Sequence, residues 1–243
     1  MTDIILAVIA AVLAITLHEA AHGYAALAMG DDTAKRAGRL SLNPLRHVDR
    51  VGTVLLPLGL AVVQLLTIHR IAFMFGWAKP VPVAAWRFRN PRRAMMVVAA
   101  AGPAMNFGLA WLTFLALYGV DLLGAEYGAL FLIFAAHFLL ANLVLGLFNL
   151  LPIPPLDGGR IAVGLLPEGP ARALAGLERM GILVVLFVVF LLPMALRDFF
   201  GVQFDPVGTL VMQVGQPLLH GLLALAGSPE LGAYLLEELF GHG

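Results

Sequence analysis

Long apolar runs alternate with short basic loops along this chain, and the run lengths predict membrane helices rather than a soluble core. Four runs come close to the ~20 residues that a bilayer crossing needs: 4–29, 94–120, 129–151 and 181–196. A fifth, 207–226, is interrupted by Gln213, Gln216, Pro217 and His220, so it either spans or lies at the interface. The tail 229–243 reads as a short acidic amphipathic helix at the surface. Two stretches carry a different period. Residues 38–43 alternate Arg39, Leu40, Ser41 and Leu42 before the turn-forming Asn43-Pro44, a short strand pattern. Residues 77–83 (WAKPVPV) are extended, because a residue preceding proline is pushed toward β or polyproline geometry.

The run 51–68 is long enough to cross but sits between two basic loops. Lys35, Arg36, Arg39, Arg46 and Arg50 precede it, and Arg70, Lys79, Arg87, Arg89, Arg92 and Arg93 follow it. A full crossing would place one cluster on the wrong side of the membrane, against the positive-inside tendency. A re-entrant hairpin, bent near Pro57 and Gly59, removes that conflict.

Composition supports the membrane reading. The 243 residues are 60% hydrophobic and only 12% charged, far from an average soluble domain. Formal net charge is zero, which leaves no electrostatic case for nucleic acid. The chain has no cysteine, which excludes disulfides, thiolate-ligated zinc and thiol catalysis together. No polar stretch is long enough for an appended soluble domain. The expectation is one all-α polytopic membrane domain over 1–243, a bundle of 5–6 membrane segments with a small β element or re-entrant loop near the site. Its core would be 4–160, with further membrane helices over 178–226.

Inside the first run stands His18-Glu19-Ala20-Ala21-His22. HExxH on a helix puts two imidazoles one turn apart on one face, where they can bind Zn²⁺, with Glu19 on the flank of that face as a base. Two imidazoles and a carboxylate are costly in hydrocarbon without a metal, which weighs against a coincidental packing pair. Zinc hydrolases normally draw a third ligand from the protein. Asp157 is framed for this by Pro152, Pro154, Pro155, Gly158 and Gly159 directly after an apolar helix. Its alternative role is to cap the helix that follows. His22 and Asp157 must meet at one depth, which happens if a single crossing separates their helices. That again favours a hairpin at 51–68.

HEAAH in the first helix, AGPAMN at 101–106 and NLLPIPPLDGG at 149–159 together resemble the site-2 protease family of intramembrane zinc metalloproteases, in its compact prokaryotic form. The resemblance runs from Leu17 to Arg160 and includes GRLSLNPLRHVD and FGWAKPVPV. It implies one Zn²⁺ per chain held by His18, His22 and Asp157, with Glu19 as general base. It implies cleavage of transmembrane or membrane-proximal segments, as in regulated intramembrane proteolysis. The site would face the cytoplasmic side of a prokaryotic cell membrane. The partners expected are a membrane-protein substrate helix, the lipid bilayer and a regulatory membrane partner.

Other candidates are weaker. Asn106 and Asn149 could clamp a substrate backbone or stabilise an oxyanion; helix–helix hydrogen bonding is their alternative, and the better one for Asn142. Trp77, Lys79 and Val81 lie on the extended stretch, where an open edge would hold a peptide by β-augmentation; an ordinary interfacial loop is the other reading. His137 suits a helix-to-helix hydrogen bond, and His47, His69, His220 and His242 look unremarkable. Ser41 and Ser228 are the chain's only serines and sit in no nucleophile motif, and only one intramembrane aspartate is available. Serine and aspartyl protease mechanisms are thereby excluded. The alternative function is a non-proteolytic membrane metal transporter or sensor, which would need the ligands but not Glu19.

Overall fold

The computed structural model describes residues 2–70 and 76–227. Helix α1 runs Thr2–Ala28 and α2 runs Leu56–Ile68, entered through a π-helical turn at Arg50–Leu55. Helix α3 covers Pro91–Leu117 and α4 covers Gly124–Asn149. The shorter α5 (Asp157–Leu165) and α6 (Glu168–Gly176) follow. The remaining helical chain includes Gly181–Leu186, Leu192–Phe200 and Gln216–Ala226. Among the described residues six helical segments are long and apolar enough to cross a membrane, and the protein is an integral, multi-pass, all-α membrane protein. The expected tail helix at 229–243 lies outside the described residues.

The core is a three-helix arrangement in which α3 runs antiparallel to both α1 and α4. On one side Val98 meets His22 and Asn106 meets His18, so the numbering falls on α1 as it rises on α3. On the other side Asn106 meets Asn142, while Ala110, Phe114 and Leu117 pack with Ala135, Leu139 and Leu143. Leu219, Leu222 and Leu223 of the last helix close that cluster. Small residues make the approach feasible: Ala10, Ala14 and Ala26 of α1 and Ala99 and Ala110 of α3 are buried. His137 hydrogen-bonds to Asp3 at 2.9 Å, a tie between α4 and α1.

The 51–68 segment departs from its expected shape. Helix α2 runs through Pro57 and Gly59 without interruption, so the chain does not reverse there. Pro57 falls in the first turn of α2, where a missing N–H costs little. The helix ends instead at His69, whose φ of 57° is left-handed. Yet the excursion returns. Trp77 N–H donates to the Gly52 carbonyl at 3.2 Å and Thr53 Oγ1 donates to the Trp77 carbonyl at 2.8 Å. Eight residues after Ile68 the chain is back beside the start of the same helical run, so both flanking loops lie at one end of α2. Its apolar side chains, Leu58, Val63 and Leu66 among them, are exposed.

The small β element is also corrected. No strand is present among the described residues. Residues 76–84 are irregular and extended, and their donors are used singly by separate partners. Lys79 N–H donates to the His47 carbonyl at 2.8 Å, and Pro80 and Pro82 have no N–H to extend a ladder. Arg39, buried, clips the strip from one side by donating to the carbonyls of Arg46 and Lys79.

This arrangement predicts that single cysteines at Lys35 and Arg89, in a chain with none of its own, react with a membrane-impermeant reagent from the same side. Labelling from opposite sides would contradict the return at Gly52 and Trp77.

Candidate metal centre

Two helices bring three ligand atoms to one point. His18 and His22 project from α1 one turn apart, and Asp157 is the first residue of α5. His18 Nε2 lies 3.1 Å from Asp157 Oδ2, His22 Nε2 lies 3.3 Å from it, and the two Nε2 atoms are 3.1 Å apart. A tetrahedral zinc with bonds of roughly 2.0–2.1 Å has ligand–ligand edges of about 3.3 Å, so the triangle is already of the right size. His18 and Asp157 are buried and His22 nearly so.

The donor chemistry fits as well. His22 Nδ1 faces the Val98 carbonyl at 2.8 Å. A carbonyl only accepts, so Nδ1 carries the proton and Nε2 of the neutral ring keeps its lone pair. His18 Nδ1 faces Asn106 Oδ1 at 2.5 Å. Asp157 Oδ2 is buried and makes no hydrogen bond. Lone pairs converging on one point without a proton between them repel unless a cation occupies it. The capping alternative for Asp157 fails, because Leu156 occupies the N-cap position of α5 and no side chain caps the helix.

Glycines set the distances. A Cβ at Gly102 would stand 2.5 Å from His22 Cε1 and 2.6 Å from His18 Cε1, so the missing side chain is what admits α3 against both rings. At the other ligand, Cβ atoms on Gly158 and Gly159 would collide with the backbone of Leu150, Leu151, Ile153 and Pro154. The α4–α5 corner can therefore fold back tightly enough to aim Asp157 at α1. Sequence reasoning singled out Asn106 in AGPAMN but missed Gly102, whose role becomes visible only when α3 is laid on the histidines.

Glu19 lies between the two histidines on α1, and its Oε2 accepts the Val81 N–H at 3.1 Å. The strip carrying Val81 is anchored further along by Asp31. This carboxylate, sealed from solvent, accepts from Thr33 N–H and Oγ1, from Ala84 N–H at 2.6 Å and from Arg87. Burial pushes the Asp31 carboxyl up, but these bonds outweigh it and hold it below its ordinary value. Trp77 and Lys79 are exposed on the same strip, and Val81 is buried. Asn106 is wholly buried between His18 and Asn142, and partly buried Asn149 donates to the Leu145 carbonyl of its own helix at 3.0 Å. The structure thus gathers His18, Glu19, His22, Asp157, Asn106 and Val81 around one centre.

Comparison with known proteins places the chain in a family. Residues 121–192 match peptidase family M50. The chain is 40% identical over 219 residues to the Bacillus subtilis protein named "Putative zinc metalloprotease YwhC", covering 87% of this chain and 93% of the relative. Rip2 of Mycobacterium tuberculosis, named in the same terms, is 32% identical over 193 residues, covering 79% of this chain and 69% of Rip2. No solved structure gives a significant match. The chain belongs to peptidase family M50, the site-2 protease family whose motifs it resembles. It is a zinc metalloprotease, and His18, His22 and Asp157 are the residues arranged to hold the metal.

Three substitutions test this geometry. Asp157→Ala should lose most of the zinc while still inserting in the membrane, and Gly102→Ala should lower zinc content by displacing the rings; elemental analysis of purified protein reads both. Asp31→Ala should leave zinc in place but strand the buried Ala84 N–H at a cost of about 1–3 kcal/mol, and limited proteolysis should then cut within 76–90. Since the folded pKa of Asp31 is lowered, its contribution is complete above the ordinary carboxyl range near about pH 4 and fades as pH falls through the lowered value.

Proposed function

We propose that this metalloprotease is an intramembrane endopeptidase that cuts transmembrane or membrane-proximal segments of other membrane proteins, with its active site toward the cytoplasmic side. The observation that carries the reading is the depth of the site. His18 lies ten residues before the end of α1, about 15 Å along a helix long and apolar enough to span. Ligands placed there reach a peptide bond that is itself in or near the bilayer. The basic loops at 35–50 and 79–93 support the cytoplasmic side.

Zinc, when bound, supplies a Lewis acid that polarises the scissile carbonyl and acidifies an attacking water. The chain's own residues do the rest. Glu19 takes a proton from that water on a carboxylate oxygen and delivers it to the departing amine nitrogen. The Val81 N–H holds Oε2 and so fixes the direction of the carboxylate. A substrate helix must unwind first, because its carbonyls are tied up in internal hydrogen bonds. The extended strip 76–84, with Trp77 and Lys79 exposed on it, is the surface on which an unwound segment would lie. Asn149, at the end of α4 before the Asp157 turn, would contact the substrate backbone. A regulatory membrane partner would act from outside the chain's catalytic core.

A metal transporter or sensor would use the same three ligands and be indifferent to Glu19. Glu19→Gln discriminates, since the amide oxygen still accepts from Val81 N–H but the side chain cannot take a proton. Zinc should stay at wild-type content while cleavage of a membrane-helix substrate in proteoliposomes falls by about 10²–10⁴-fold. Near wild-type cleavage by this variant would refute the mechanism.

A further inference from the structure

We infer that Asn142, which touches none of the ligand atoms, selects the His18 tautomer that binds metal. The argument begins at a backbone carbonyl. Asn142 Nδ2 lies 2.8 Å from the Phe138 carbonyl, which can only accept, so the amide nitrogen must face it. That orientation leaves Asn142 Oδ1 on the opposite side, where it accepts from Asn106 Nδ2 at 2.8 Å. Asn106 in turn presents Oδ1 to His18 Nδ1 at 2.5 Å. An amide oxygen cannot donate, so Nδ1 carries the proton of the neutral ring and Nε2 is left with its lone pair toward Asp157. A carbonyl in α4 thus decides, through two amides, which nitrogen of a histidine in α1 is free.

The relay has no slack. Asn106 and Asn142 are both fully buried, so no bulk water can replace a lost partner. With the Asn142 amide removed, Asn106 Nδ2 loses its acceptor and the group can turn over. It would then donate to His18 Nδ1, driving the proton to Nε2, where it points at Asp157 Oδ2 and blocks the metal position. His22 needs no such relay, because the Val98 carbonyl faces its Nδ1 directly. Asn142 is a positioning residue acting through Asn106. The inference rests on His18, His22 and Asp157 being the metal ligands, and is independent of what the protein cuts.

The test uses the full chain in detergent, with zinc affinity measured by chelator competition. Asn142→Leu, close in shape but without the amide, should weaken zinc binding by about 10–100-fold, the usual effect of losing an outer partner of a metal-bound histidine. Asn106→Asp added to Asn142→Leu should regain most of that loss, since a carboxylate has no donor to present to His18 in any orientation. A ¹⁵N-histidine NMR spectrum of the metal-free protein gives a second readout: the His18 proton should sit on Nδ1 in the wild type and on Nε2 in Asn142→Leu. If leucine is not accommodated, Asn142→Ala is read in the same way. Unchanged affinity, an unchanged His18 tautomer, or a loss that Asn106→Asp does not rescue would each overturn the relay, the last by showing that Asn142 only fills space. Wild-type protein that binds no zinc, or an Asp157→Ala variant that binds it fully, would overturn the metal site and the relay with it.

Discussion

Three lone pairs can be held within about 3 Å of one another inside a membrane only if the groups behind them are locked in place. That constraint organises the centre of this protein. Each histidine is fixed from its far nitrogen, His22 by the Val98 carbonyl and His18 by Asn106. Both supports come from α3, and α3 reaches them because Gly102 has no side chain. The antiparallel packing of α3 between α1 and α4 is therefore a requirement of the ligand set as much as of apolar burial. Burial of polar atoms without partners would cost several kcal/mol in this environment, and the amide chain from His18 to Phe138 leaves none along its length.

A second layer of order lies outside the bundle and depends on single hydrogen bonds rather than a sheet. Residues 76–84 are fastened at Gly52, His47, Glu19 and Asp31 in turn. These four bonds use donors on the strip, Thr53 and Arg39 add bonds to its carbonyls, and the prolines prevent a continuous ladder. The consequence is a peptide track whose position relative to the catalytic carboxylate is set by four remote points. The loop after α1 acts on the site indirectly, through the bond from Ala84 N–H to Asp31 that anchors this strip.

Much of this was legible in the sequence because its chemistry is local. HEAAH on an apolar helix points to a metal site from its spacing, and the long apolar runs mark the helices. The resemblance to site-2 proteases adds Asp157, for which the residues alone left a capping role open. What was not legible depends on how separate segments meet. Gly102 is one small residue among many until two imidazoles are placed against it. Asn142 reads as a generic helix–helix contact, because nothing local reveals that its partner is already bonded to a ligand. The pattern at 39–42 and 77–83 suggested strands, but neither forms one, and at 77–83 a sheet needs paired donors that Pro80 and Pro82 lack. The bend expected at Pro57 and Gly59 failed because proline in a first turn suits a helix and glycine within one is tolerated. The return itself was expected from the basic loops on both sides, and the contact of Trp77 with Gly52 shows where it closes.

That contact has a topological consequence. A segment whose two ends touch is an insertion: the chain from 53 to 76 leaves and re-enters the protein at one point. The distance between the end of α1 and the start of α3 is then independent of how long the excursion is or what it contains. Its length and composition are free to drift, to be exchanged or to be shortened toward a simple turn, without disturbing the register of the histidines against Asp157. The catalytic bundle and its excursion can evolve as separate modules joined by the pairing of a glycine with a tryptophan.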